Sequence, residues 1–451
     1  MQESVGHRAR GRQVLVAALI TGIILGAVIA LHAGQMPDRH VVIFVRLGWY
    51  GTAVVFLIGA KLILSLLARP ARDTPESRST LRRAYVAGII TCRNEDVTAF
   101  TLCLNSILAS TRLPNSLTVV DDGSSDPACG QVAYRYCEMF RAAGVNYTVV
   151  TLSENRGKRA GLAAGFARSW DADIYLCIDS DTIIAPNAIE NALKPFARRR
   201  VHAVTGCVLA ANRNRNLLTR LIDLRYAYAF LGERAAYSVM GSVLCACGSL
   251  ALYRGITVRK YLDDFLSQHF LGRKCTYGDD RRLTYYCLRE GQVVLAPDAV
   301  AWTLVPERMG HFLRQQLRWS KSFFRESLSM LGGMPPGRIC WWLTLVEICS
   351  WCGFTSALIF AMAVQPAFTG HFAGMTYLMA VLLLAYARSG HYVEAEHPGL
   401  SWRSRWGTLL LAPLYGIIHM TLLLPLRLVA LATLRDNSWG TRSSGAEVST
   451  V

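Results

Sequence analysis

Apolar positions are unevenly spread along the chain. Residues 13–31 (QVLVAALITGIILGAVIAL) form an uncharged apolar run of membrane-spanning length. A second run, 48–68, follows a short polar link holding Pro37, Asp38 and Arg39. Arg8, Arg10 and Arg12 precede the first run, and Arg69, Arg72, Arg78, Arg82 and Arg83 follow the second. No small-residue cleavage site follows convincingly, so the first run reads as an anchor rather than a removed leader. Basic flanks at both outer ends of the hairpin put the N-terminus and everything after residue 69 on the cytosolic side. Near the other end, 341–364 and 373–387 are apolar enough to cross, and 407–434 is a long apolar stretch interrupted by Pro413, Pro425 and Arg427. Two full straight crossings need about 40 residues, so 407–434 cannot supply both. Either one of the three stretches is re-entrant or interfacial, or 407–434 is a tight broken hairpin.

Between these ends the pattern is that of a soluble enzyme. YVAGIITC (85–92), SLTVVDD (116–122), YTVVTL (147–152) and DIYLCIDSD (173–181) predict strands. Helical periodicity covers 96–110 and 157–170. This alternation predicts an α/β domain with a parallel, doubly wound sheet, whose ligands bind beyond the carboxyl ends of the strands. Asp121, Asp122, Asp179 and Asp181 all fall there. Residues 311–329 form a basic amphipathic helix carrying Phe312, Trp319, Phe323 and Phe324, suited to a membrane interface. The resulting division is 1–70 as a transmembrane hairpin, 84–305 as a cytosolic catalytic domain and 306–335 as the interface helix. Residues 336–434 then supply membrane or channel helices, and 435–451 a terminal segment.

Composition agrees with that division. The 451 residues are 52% hydrophobic and only 18% charged, too apolar for an ordinary soluble enzyme. The formal net charge of +17 fits an anionic membrane surface or an anionic substrate. Nucleic acid is not expected, because none of the common recognition patterns is present. Thirteen cysteines show neither C-x-x-C nor Cys/His zinc spacing, and read as small buried thiols of a reducing compartment.

Four motifs carry candidate chemistry. Asp179-Ser180-Asp181 ends a strand with two carboxylates one residue apart; Mg²⁺ or Mn²⁺ held there, with phosphate and water oxygens, would bind a nucleoside diphosphate. By itself D-x-D is a weak signal, since two solvated loop aspartates look the same. Asp121-Asp122-Gly123-Ser124 ends an earlier strand, with carboxylates able to reach a base or ribose. Asn155-Arg156-Gly157-Lys158-Arg159 opens a helix with cations and backbone N–H groups suited to phosphate. Three such groups at the ends of strands in one sheet are hard to read as surface charge. Downstream, Gly278-Asp279-Asp280-Arg281 gives a carboxylate pair, one member of which suits a general base if its partner is fixed by a cation such as the adjacent Arg281. Read blandly, it is a salt-bridged turn. Gln315-Gln316-Leu317-Arg318-Trp319 supplies an indole that stacks on a sugar and an arginine for phosphate, or simply an interfacial tryptophan beside an arginine.

In this order, and between apolar segments, D-D-G-S, D-S-D, G-D-D and Q-x-x-R-W resemble the processive family 2 glycosyltransferases. That family includes cellulose, chitin and hyaluronan synthases and the chitooligosaccharide synthases of nodulation. The resemblance covers residues 84–330 firmly. Longer strings, among them FLGRKCTYGDDRRLT (270–284), QQLRWSKSFFRES (315–327) and the terminal Trp439-Gly440-Thr441-Arg442, are similar to bacterial class I hyaluronan synthases. Chitooligosaccharide synthases typically carry G-E-D where this chain has Gly278-Asp279-Asp280. One departure is visible: the family's G-P-L segment, which resembles the part contacting the acceptor sugar, is Gly248-Ser249-Leu250 here.

The resemblance implies a GT-A-like catalytic domain inserted between transmembrane helices of the plasma membrane, with Mg²⁺ or Mn²⁺ as cofactor. Its implied partners are UDP-GlcNAc, UDP-GlcA, the nascent polysaccharide and membrane lipids. Asp121, Asp122 and Lys158 would hold the nucleotide, Asp179 would support the site, and Asp181 would coordinate the metal. Asp280, paired with Asp279, would be the base. Trp319, with Gln315, would meet the acceptor sugar, and Arg318 and Arg442 the diphosphate. Trp439, Gly440 and Thr441 would form a gate over UDP. Two competitors stand beside this reading: a chitin or chitooligosaccharide synthase using only UDP-GlcNAc, and a non-catalytic membrane channel or scaffold. The carboxylates at 179, 181, 279 and 280 argue against the second.

Overall fold

The computed structural model describes residues 56–359, 363–370 and 374–436. The run at 13–31 and the Trp439–Arg442 segment lie outside the described residues. Four strands form within two residues of their predicted bounds: β1 Val86–Cys92, β2 Ser116–Asp121, β3 Asn146–Thr151 and β4 Ile174–Asp179. They run parallel to one another in the order β3-β2-β1-β4. β1 and β2 are buried along their whole length, as apolar runs covered on both faces should be. Helices α1 Val97–Leu108 and α2 Lys158–Arg168 supply two of the crossovers.

The expected wholly parallel sheet ends at β4. Four further strands, β5 Thr182–Ile184, β6 Val201–Ala210, β7 Ala251–Arg254 and β8 Gln292–Thr303, extend it to eight in the order β3-β2-β1-β4-β7-β6-β8-β5. β7 runs antiparallel to both β4 and β6, and β5 antiparallel to β8. The sheet is therefore mixed. The reason is local: β7 is fed not by a crossover helix but by a loop, 242–250, that already lies at the carboxyl end of β4. The register Cys177↔Ala251 makes that loop's last residues neighbours of Asp179.

Further helices complete the site's surroundings: α3 Leu217–Ala227, α4 Asp279–Glu290 and α5 Met309–Gly333. α5 was expected to be a basic amphipathic helix with its cations in solvent at an interface. Instead Lys321 and Arg325 are buried, with Gln315 and Glu326, while Trp319 is 40% exposed. The buried cations have partners: Arg325 donates to the Leu434 and Asp436 carbonyls, and Lys321 Nζ lies 3.0 Å from Asp436 Oδ2. Two apolar helices follow, α6 Ile339–Ile359 and α7 Gly374–Ser389. Among the described residues one helix is long and apolar enough to cross a membrane, Trp402–Ala432, with 31 residues and mean hydropathy 1.9. It carries a π-turn at His419–Leu423, and Pro413 and Pro425 sit in the first turns of its later segments. All thirteen cysteines are free thiols.

Candidate active site

The carboxyl ends of β1, β2 and β4 meet the N-termini of α2 and α4, and there the charges collect. α2 begins at Lys158, which sends its ammonium across the end of β4 to Asp179, with Nζ 2.7 Å from Oδ1. The same ammonium is 3.5 Å from Asp279 Oδ2. α4 opens with Asp279 and Asp280 because Gly278 turns the chain at φ +87°, a conformation costly for any residue with a Cβ. The 242–250 loop closes the cluster. Gly248 N–H donates to Asp280 Oδ2 at 2.9 Å, and Ser249 Oγ donates to Asp179 Oδ2 at 3.1 Å. A Cβ on Gly248 would sit 2.7 Å from Asp280 Oδ1 and 3.0 Å from Lys158 Nζ, so it would displace one or both charged groups.

Asp279 and Asp280, side by side at the start of α4, are pushed in opposite directions. Burial, then the neighbouring Asp279 carboxylate, pushes Asp280 up to about 8, although Lys158 pulls the other way. For Asp279 burial also works against the charge, but the Lys158 ammonium prevails and holds it below the usual carboxylate range. Lys158 itself is held well above the usual lysine range: its burial is outweighed by Asp179, Asp279 and Asp280. One carboxylate of the pair is thus kept charged and the other made basic, the division a general base requires.

The remaining expected residues fall into distinct groups. Asp121 and Asp122 are buried and serve the loops: Asp121 Oδ1 accepts from Ser124 N and Oγ, and Asp122 accepts from the N–H groups of Arg156 and Gly157 at 2.7 and 2.8 Å. Asp181 is half-buried, and the β5–β8 register brings the Thr303 hydroxyl to its Oδ1 at 3.0 Å. Arg318 is half-buried and near Tyr277. Trp319 lies on the same helix with its ring centroid 6.4 Å from that of Tyr226. Gln315 is buried, and its Oε1 meets no donor among the described residues. Trp439, Gly440, Thr441 and Arg442 are outside the described residues.

Two features were not foreseen. The cation fixing Asp279 is Lys158, not the adjacent Arg281, whose guanidinium lies 5.2 Å from the Phe323 ring centroid. Gly248 and Ser249 donate directly to the carboxylates. Only the departure from G-P-L marked that loop in the sequence.

The residues suit a divalent cation of the kind that takes most of its ligands from a nucleotide. Among the described residues no group of three or more His, Cys, Asp or Glu forms a closed metal site. Mg²⁺ and Mn²⁺ need no such site when phosphate oxygens complete the shell, and Asp181 offers a half-buried carboxylate at a strand end for that purpose.

Charge arranged in this way, on the strand ends of a mixed α/β sheet, belongs to the class of nucleotide-sugar glycosyltransferases of GT-A fold. The family model "Glycosyltransferase like family 2" matches residues 83–322. The chain is 37% identical over 398 residues to a hyaluronan synthase of Streptococcus pyogenes, covering 88% of this chain and 90% of that protein. It is 34% identical over 359 residues to an N-acetylglucosaminyltransferase of Neorhizobium galegae, covering 79% of each. A mannosyltransferase of Pyrobaculum calidifontis, solved with GDP-Man and Mn²⁺, shares the fold at TM-score 0.51 and 18% identity, covering 88% of this chain and 98% of that one. This protein belongs to the family 2 glycosyltransferases.

Proposed function

We propose that the protein is a hyaluronan synthase. It transfers GlcNAc and GlcA in alternation from UDP-GlcNAc and UDP-GlcA to a growing polysaccharide, on the cytosolic face of the plasma membrane, and passes the chain through its membrane helices. The observation that carries this reading is the 37% identity to streptococcal hyaluronan synthases across 88% of the chain.

The site supports a mechanism. Asp280 takes the proton from the acceptor hydroxyl, whose oxygen then bonds to the donor's anomeric carbon from the face opposite the departing diphosphate. The bond from that carbon to phosphate breaks, the configuration inverts, and UDP leaves. Lys158 keeps Asp279 ionised, so that the proton goes to Asp280 rather than being shared. Mg²⁺ or Mn²⁺, when bound through Asp181, would neutralise the diphosphate charge. Arg318 and Arg442 meet the same diphosphate, and Asp121 and Asp122 shape the loops around the nucleotide. The unpaired Gln315 oxygen is suited to a sugar hydroxyl, and the exposed Trp319 face to a sugar ring. Trp439, Gly440 and Thr441 close over UDP and exclude water.

A second observation favours a uronic acid in the product. Glu233 pairs with Arg225 at 3.3 Å and with Arg388 at 3.6 Å, and Arg225 is adjacent in sequence to Tyr226, whose ring lies 6.4 Å from that of Trp319. Two guanidiniums on one carboxylate leave a positive surplus in this part of the domain. That suits a chain bearing carboxylates better than neutral chitin. The test is product analysis of the purified full-length protein supplied with each donor alone and with both. Polymer that requires both donors and is degraded by hyaluronidase is expected. Polymer from UDP-GlcNAc alone would make the protein a chitin-type synthase.

A further inference from the structure

The D-S-D motif presents two carboxylates, yet the structure commits one of them elsewhere. Asp179 Oδ1 is taken by the Lys158 ammonium at 2.7 Å, and Oδ2 by the Ser249 hydroxyl at 3.1 Å. Ser249 is itself buried, at 5% exposure, so its hydroxyl is not diverted to bulk water. Its place is fixed from both sides. The turn closed by Leu250 N–H to the Cys247 carbonyl sets its backbone, and the antiparallel pairing of Ala251 with Cys177 aligns the residue with the end of β4. Asp181, two residues on, accepts from the Thr303 hydroxyl at 3.0 Å.

We infer that Ser249 is a positioning residue that withholds Asp179 from the divalent cation. With Lys158 on one oxygen and Ser249 on the other, Asp179 stays turned toward the base cluster, and the cation has Asp181 as its one carboxylate from this motif. A serine does this where the G-P-L of the family's pattern has proline, which has no side-chain donor. The consequence is a cation site that is weak alone and is completed by the diphosphate, because affinity for a hard cation follows the number of charged oxygens around it. A bond from a hydroxyl to a carboxylate is of the charge-assisted kind, so its removal has a measurable effect.

This inference rests on the reading of Asp181 as the cation ligand, and its test separates the two. Mn²⁺ is titrated by electron paramagnetic resonance into the purified full-length protein, with and without UDP. Wild type should bind Mn²⁺ detectably only with UDP. Ser249→Ala, by freeing Asp179 Oδ2, should tighten Mn²⁺ binding in the presence of UDP by about tenfold, and Ser249→Thr, which keeps a hydroxyl, should not. Adding Ser249→Ala to Asp179→Asn should change nothing, since the oxygen at issue has lost its charge. Unchanged Mn²⁺ affinity in Ser249→Ala would overturn the inference, as would the same tightening in both the wild-type and Asp179→Asn backgrounds. Asp181→Asn should abolish the UDP-dependent binding. If it does not, the reading of the cation ligand fails, whatever Ser249 does.

Discussion

Replacing Lys158 with methionine removes the one ammonium in contact with Asp179 and Asp279 while nearly keeping the volume of the side chain. Its Nζ and Asp280 Oδ1 both lie within 3.0 Å of the point where a Cβ on Gly248 would sit, so they are at most about 6 Å apart. At that distance, in an effective dielectric of about 20, unit charges interact by about 3 kcal/mol, or about 2 pKa units. Asp280 is already pushed up to about 8 by burial and by Asp279. Losing Lys158 raises it further, so the base is protonated over most of the physiological range. The sign is definite: a base with a raised pKa is inactive below that pKa, so the acid limb of the pH profile moves to higher pH. UDP release measured between about pH 6 and 10 should fall about a hundredfold near neutrality and recover toward the alkaline end. Lys158→Arg, which keeps the charge, should move the limb far less. Stability has to be followed in parallel, since stripping a cation from a buried cluster costs about 3–5 kcal/mol. An unmoved acid limb with weaker UDP binding would refute the argument and return Lys158 to the nucleotide-holding role that its position in the Asn155–Arg159 motif suggests.

Asp280→Asn should retain UDP-sugar binding and lose turnover by about 10²–10⁴; parallel loss of donor binding would make Asp280 a binding residue. Asp181→Asn should abolish transfer without lowering thermal stability, and near-normal activity at limiting Mg²⁺ or Mn²⁺ would rule out its ligand role. Arg442→Ala should express normally, bind UDP more weakly and make little polymer, whereas equal specific activity to wild type would exclude a gate. Epitopes placed at Gly399 and after Val451 should both be reached by protease only from the cytosolic side of sealed vesicles; exposure of either from outside would break the topology argued below.

What was legible in the sequence followed from local pattern. β1, β2 and β4 are runs of apolar residues, the last two ending in acids, and their bounds and the placement of Asp121, Asp122 and Asp179 at strand ends could be read directly. β7 could not: four residues, Ala251–Arg254, paired on both sides with strands distant in sequence, carry no periodicity of their own. With β7 hidden, so were the antiparallel pairing and the loop that brings Gly248 and Ser249 to the carboxylates. The carboxylate partners of Lys158 were hidden for the same reason. A lysine at the start of a helix after a glycine reads as a phosphate ligand, and only the fold shows Asp279 arriving from over a hundred residues away to share it. The inward face of α5 was hidden by its composition, because Lys321 and Arg325 look solvated until the segment ending in Asp436 is seen against them.

That same segment bears on the topology. The helix Trp402–Ala432 passes the test of length and apolarity for a crossing, but it does not leave the catalytic domain. Near its start, the Thr408 hydroxyl accepts from Arg213 Nη2 at 3.0 Å, and Arg213 also binds the buried Asp223 of α3. Midway, Leu423 packs with Ile222 of α3 and Phe312 of α5, joined by Tyr415 and Ile418. At its end, Leu424, Ala430 and Leu434 pack on Phe324, and Arg325 takes the Leu434 carbonyl. A straight 31-residue helix would be about 46 Å long, and one that crossed a bilayer would carry one end far from the domain at the other. From contact at the start, middle and end we propose a helix laid along the domain at the membrane interface, bent by its π-turn and prolines. Of the alternatives open from sequence, the interfacial one is then the consistent choice. On this proposal α6 and α7 cross out and back, the count after residue 340 is even, and the chain lies at Asp436 beside Tyr277 and Lys321. Arg442 follows six residues later, within about 20 Å of that anchor for an extended chain. A terminal segment that meets a cytosolic nucleotide requires such a return, and the Asp436 contacts supply it.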